Sequence, residues 1–177
     1  MIDLEHKFCR IGADVKVKDG TEISGYASLF GKTDQGGDVV GSGAYATSLG
    51  KKHSIKMLWQ HDPTQPIGVW DEVREDATGL WVKGRILTDV AKGREAAALI
   101  EAGAIDGLSI GYRTVKSHKG TGGQRHLDEL ELWEVSLVTF PMLPDARVGG
   151  KADDPADTAL RDLAAVFDAA RQDLATR

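Results

Sequence analysis

From Leu130 to Val138 the chain reads Leu-Glu-Leu-Trp-Glu-Val-Ser-Leu-Val. In an extended segment Leu130, Leu132 and Val138 fall on one face, and Trp133, Val135 and Leu137 on the other. A strand of an open sheet with one wet face alternates apolar with polar residues. Two dry faces need cover on both sides, which a closed or nearly closed antiparallel barrel supplies. This one run constrains the fold more than any other feature, and it predicts an α+β, mainly β protein.

The rest of residues 1–150 fits that frame as a single domain with two inserted helices. Residues 21–30 alternate loosely, as a half-buried strand does. Gly31 to Gly43 holds five glycines and two aspartates, so it reads as a long turn or loop. A short helix is expected from Ser42, with Tyr45 and Leu49 one turn apart and Gly50 as its stop. Ile55 to Gln60 reads as a strand that breaks at His61-Asp62-Pro63, because proline has no amide hydrogen and drives Asp62 to an extended conformation. Residues 67–73 and 80–87 make a hairpin across the turn Asp76-Ala77-Thr78-Gly79. Thr88 or Asp89 is the expected cap of a helix through Ala96, Leu99 and Ile100, with Gly103 past its end. Residues 108–116 and 127–138 form a second hairpin across the polar loop 117–126.

After Gly149-Gly150 the composition changes, and residues 151–177 read as an acidic linker and an amphipathic helix. Asp154-Pro155-Ala156-Asp157 is a helix start, and Leu160, Leu163, Ala164, Phe167, Ala170 and Leu174 form one apolar stripe. That stripe either packs on the barrel or pairs with another subunit. The linker offers an accessible site for cutting.

The 177 residues carry 27 acidic and 22 basic side chains, a formal net charge of −5, and no basic stripe, so nucleic acid is not an expected partner. No run of about 18 apolar residues is present, so no membrane span is expected. The segment Met1 to Lys7 lacks the apolar stretch of a secretory signal. A lone cysteine, Cys9, cannot form an internal disulfide; it reads as a small, partly buried residue of a protein from a reducing compartment. His53, His61, His118 and His126 show no metal-ligand spacing, and no Gly-Lys-Ser/Thr follows Gly36-Gly37, so neither a metal nor a bound cofactor is expected. His118 and His126 flank the hairpin loop and should be solvated.

Three polar residues stand where polar residues are costly. Ser109 opens an apolar strand between Gly107 and Gly111, and those glycines let other backbone approach it closely. A serine nucleophile needs that access and a base within reach, although a small serine in a crowded strand needs no function at all. His61 ends an apolar strand where a turn presents it, and imidazole takes a proton from a hydroxyl near neutral pH. Its plain alternative is a strand-end cap bonded to Asp62. Glu134 shares a face with Leu130, Leu132 and Ser136, so it needs a partner for its buried charge. Orienting His61 would satisfy it, and so would an ion pair with a cation such as Arg113.

Taken together, ordered blocks of the sequence become recognisable. Gly25-Tyr26-Ala27-Ser28-Leu29-Phe30-Gly31, Gly36-Gly37-Asp38-Val39-Val40 and Leu58-Trp59-Gln60-His61-Asp62 resemble the front half of tailed-phage prohead proteases. Pro66-Ile67-Gly68, Gly107 to Tyr112, Leu132 to Thr139, Pro141 and Ala146-Arg147-Val148 resemble the remainder in the same order. The resemblance spans roughly residues 22–148.

It implies a β-barrel surrounded by helices, similar to the herpesvirus maturational protease, and a serine endopeptidase without cofactor. By the same resemblance the substrate is scaffold or the major capsid protein, and many members also cut themselves. Portal and other prohead components would be neighbours, a homodimer the assembly, and the prohead inside the host cytoplasm the location. Gene transfer agents, which are domesticated phage relatives, carry similar enzymes. His61 matches the family histidine and Ser109 the family serine. Herpesvirus relatives place a second histidine where this chain offers Glu134, which holds an imidazole by accepting its other N–H. The turn at residues 139–143 is the expected source of oxyanion-binding amides. The competing reading is a catalytically silent capsid-assembly module.

Overall fold

The computed structural model describes residues 5–9, 11–18, 21–34, 36–51, 54–139 and 146–149. The chain enters through β1 (Glu5–Cys9), β2 (Ile11–Lys18), β3 (Glu22–Leu29) and β4 (Asp38–Val40), then α1 (Ala46–Leu49). It continues as β5 (Lys56–Trp59), β6 (Asp62–Glu75), β7 (Gly79–Ile86), α2 (Ala91–Glu101), β8 (Gly107–Lys119), β9 (Arg125–Val138) and β10 (Ala146–Gly149).

These strands form one sheet in the order β1-β8-β10-β2-β3-β7-β6-β5-β9-β4, and β8 pairs with β9 as well. The second partnership carries the sheet back on itself, so it is curled into a half-barrel. The architecture is mainly β with few helices, as expected, but the sheet is mixed rather than purely antiparallel: β4 and β5 each run parallel to β9, and β10 parallel to β2. The C-terminal helix and the linker lie outside the described residues.

Both faces of β9 are covered along its second half, where every residue from Glu134 to Val138 is buried. Leu132, Val135 and Leu137 join Ile23, Leu80, Val82, Ile110 and Tyr112 in one continuous core. Removing such side chains from water is the main stabilising contribution, about 1.5–3 kcal/mol each for the larger ones.

The elements differ from their sequence readings where tertiary contacts supply what local chemistry does not. The chain turns at 42–45, and the helix proper starts only at Ala46, with Tyr45 as its N-cap. Glu75 accepts the Gly43 and Tyr45 N–H groups, so a distant carboxylate holds the turn that leads into the helix. Neither Thr88 nor Asp89 caps α2; Val90 holds the N-cap position, and the two carbonyls instead accept Arg94 Nη1 at 2.9 and 3.3 Å. The loop expected at 117–126 is shorter, because β8 and β9 stay paired to Lys119 and Arg125. His118 and His126 sit opposite each other there and stack at 5.0 Å, with His118 Nδ1 2.7 Å from Asp128.

β1, β2, β4 and β10 are strands beyond those expected, although along β2 Ile11, Ala13, Val15 and Val17 alternate with Gly12, Asp14, Lys16 and Lys18. β4 lies in the glycine-rich stretch and exists through its parallel pairing with β9 at Asp38↔Arg125. The described features of Cys9 are those of its backbone in β1; its side chain lies outside them.

Candidate active site

The strand β5 ends one residue earlier than the proline suggests. Trp59 pairs with Asp62, leaving Gln60 and His61 as a two-residue hairpin turn with φ of 52° and 62°. Two successive positive φ values define the turn type that matches strand twist. For a side chain larger than glycine that conformation costs roughly 1–2 kcal/mol per residue. It is held by Gln60 N–H donating to the Leu137 carbonyl at 3.0 Å and by Gln60 Nε2 donating to Thr139 Oγ1 at 2.6 Å. Backbone strain of this kind concentrates at functional sites.

The turn aims the imidazole of His61 back over β8 and β9. Ser109 Oγ is 2.6 Å from His61 Nε2, and Glu134 Oε1 is 2.5 Å from His61 Nδ1. A carboxylate only accepts, so Nδ1 carries the proton and Nε2 is left to accept from the serine hydroxyl. That is the tautomer a serine nucleophile requires. Ser109 is fully buried and Glu134 nearly so, while the His61 side chain keeps 11% of its surface exposed.

Glu134 therefore pairs with the histidine. Arg113, its alternative partner, lies 2.6 Å from Glu131 instead. Nor does His61 lean on Asp62, whose carboxylate accepts from Thr64 N–H and Oγ1 and from Gln65 Nε2 at 2.5–2.8 Å. Those bonds hold the Asp62 carboxyl below the usual carboxylate range. Three residues separated by 48 and 73 positions along the chain thus meet at one point.

Two strand details make that meeting possible. In the β8–β9 ladder Gly111 pairs with Glu134 and Tyr112 with Leu132, so Trp133 is an extra residue on β9. Such a bulge re-aims the neighbouring side chains. Opposite it, a Cβ on Gly111 would overlap the Glu134 carboxylate, so glycine there makes room for the acid. Ser136, directly across from Ser109, donates to Glu134 Oε2 at 2.6 Å and accepts the His61 backbone N–H at 3.1 Å. Neither Gly111 nor Ser136 was singled out for this purpose, although a serine between Val135 and Leu137 carries the same signal as Ser109: a polar group inside an apolar run. Of the turn expected to bind an oxyanion, residues 140–143 lie outside the described residues.

Among the described residues no group of three or more metal-ligating side chains is gathered, and no helix is long and apolar enough to cross a membrane.

A curled, mainly β sheet carrying a Ser–His–Glu chain defines a class of protein, and comparison with known proteins names the family. The family model for the caudovirus prohead serine protease matches residues 12–160. The chain belongs to this family. It is 30% identical over 146 residues to the prohead protease of Enterobacteria phage HK97, covering 80% of this chain and 64% of that protein. It is also 31% identical over 105 residues to the capsid polyprotein of Pseudomonas phage PAJU2, covering 55% of this chain and 16% of the polyprotein. The chain therefore spans less than two thirds of these relatives' own lengths. In fold it is similar to the bacteriophage T4 capsid assembly protease, with a TM-score of 0.60 and 17% identity over 78% of this chain and 98% of that one.

Proposed function

We propose that this protein is a serine endopeptidase that cleaves capsid or scaffold protein during prohead maturation, with Ser109 as nucleophile, His61 as general base and Glu134 as the group that orients His61. The observation that carries the reading is the unbroken hydrogen-bonded chain from Ser109 through His61 to Glu134, at 2.6 and 2.5 Å. Family membership and the HK97 prohead protease support the reaction class. The relative named as a capsid polyprotein supports capsid protein as the substrate.

In this mechanism Ser109 Oγ attacks the scissile carbonyl while His61 Nε2 takes its proton. Glu134 holds the tautomer and stabilises the imidazolium that forms. The same base then passes the proton to the leaving amine, and water releases the acyl-enzyme. No metal or cofactor enters any step. A homodimer, and action inside the assembling prohead within the host cytoplasm, belong to the same proposal.

The test is co-expression of the chain with its cognate capsid protein, read by intact mass. Capsid or self-cleavage by the natural chain and none by Ser109→Ala is the expected result. Persistent cleavage by Ser109→Ala would discard this nucleophile, and no cleavage by either chain would favour a silent assembly module. Glu134→Gln should retain a trace of activity, slowed by roughly 10²- to 10⁴-fold. Full activity in that variant would remove Glu134 from the site.

A further inference from the structure

We infer that Ser136 is a positioning residue of this site, fixing His61 and Glu134 relative to each other. The inference rests on the triad reading above and deepens it. The Ser136 side chain is fully buried in the apolar half of β9. A buried hydroxyl is costly unless its donor and acceptor capacities are used. Here both are: its proton goes to Glu134 Oε2 at 2.6 Å, and a lone pair takes the His61 backbone N–H at 3.1 Å.

The consequence is a closed ring of hydrogen bonds. From the His61 backbone it runs through Ser136 Oγ to Glu134 Oε2, across the carboxylate to Oε1, and back to His61 through Nδ1. The bond from Nδ1 holds Oε1, and the Ser136 proton holds Oε2. With Oε2 pinned as well, the carboxylate plane is fixed, and the imidazole with it. The ring also anchors the left-handed backbone of His61, at φ 62°, to the strand that carries the acid. It separates the roles of the two serines that face each other across β8 and β9. The Ser109 hydroxyl reaches the imidazole, whereas the Ser136 hydroxyl is committed to the carboxylate, so Ser136 touches no reacting atom.

Purified wild type, Ser136→Ala, Ser136→Thr and Ser109→Ala would be compared in two measurements. The first is the rate of labelling by a fluorophosphonate, with the site located by mass spectrometry. Ser136→Ala should lower the maximal labelling rate about 10²-fold, the scale of a 1 Å misplacement, while leaving the concentration for half-maximal rate within about twofold. Ser136→Thr, which keeps the hydroxyl, should recover most of that loss. A merely structural role would not give that split and rescue. The second is the low-field proton signal of His61 Nδ1, which needs no turnover. It should be present in wild type, Ser109→Ala and Ser136→Thr, and be lost or broadened in Ser136→Ala. An unchanged labelling rate with an unchanged proton signal in Ser136→Ala would overturn the inference and leave the triad standing. Labelling of Ser109→Ala at the wild-type rate, or no labelling of wild type at all, would instead overturn the triad reading itself.

Discussion

At the scale of single residues the site depends on small changes of room. Gly111 lies opposite Glu134 in the ladder, and a methyl group there would occupy the space of the carboxylate oxygen that faces His61. Gly111→Ala should therefore push the acid away from the imidazole. The expected outcome is a loss of the proposed proteolytic activity of about 10²-fold and a destabilisation of about 1–3 kcal/mol from overpacking. Urea denaturation and cleavage rates measure the two effects. In a Glu134→Ala background the added methyl has space, so the stability penalty should largely vanish, and a double-mutant cycle reads that coupling. If the penalty is the same in both backgrounds, the clash with Glu134 is not its cause.

At the scale of elements, turns place the long strands. The β6–β7 hairpin turns on Asp76, whose carboxylate accepts Thr78 N–H at 2.8 Å, Gly79 N–H at 3.2 Å, Tyr26 Oη at 2.8 Å and Arg74 Nη1 at 2.7 Å. One side chain thus ties the turn to β3 as well as to β6. Asp76→Ala removes all four bonds and should cost at least about 2 kcal/mol, given about 0.5–1.5 kcal/mol for an ordinary hydrogen bond and more for one to a charge. Asp76→Asn keeps an oxygen for the turn amides and should lose less. A urea midpoint for Asp76→Ala equal to that of wild type would show that the turn closes without its acid.

At the scale of the whole molecule, acid stability follows from carboxylates held in their charged form. Burial raises the Glu5 carboxyl, but hydrogen bonds from Thr114 and Arg125 outweigh it and hold Glu5 below its usual value. Asp76 behaves likewise: burial opposes, and the turn amides and Tyr26 prevail. Glu129 and Glu131 are lowered chiefly by Lys116 and Lys51. A carboxyl depressed in the folded state contributes stability that is full above its unfolded pKa, about 4.3 for glutamate, and is lost as pH falls through the folded value. Arg125 joins distant parts of this network: Nη2 lies 2.5 Å from Glu5 on β1 and 2.6 Å from Asp38 on β4. Arg125→Gln should therefore be less stable near pH 7 and lose less on acidification from pH 6 to pH 3. Urea midpoints at several pH values check this, and parallel pH curves for the two proteins would contradict it.

Much of this was legible along the chain. The run Leu130–Val138 determined that its strand is covered on both faces, because alternation with period 2 is a local property of extended backbone. Turn chemistry at Asp76–Gly79 and the glycine at 103 marked where elements end. Ser109, His61 and Glu134 drew notice because a polar group in an apolar run must be satisfied. What the sequence could not determine was who satisfies it. Whether Glu134 meets Arg113 or His61 depends on the register of β8 against β9 and on how β5 turns, and both bring together residues far apart in the chain. The parallel pairings of β9, the strand character of β4 and the bulge at Trp133 are decided the same way. So are the places of Ser136 and Gly111, because a hydrogen-bond partner or a missing methyl group acquires meaning only once a second strand lies beside it.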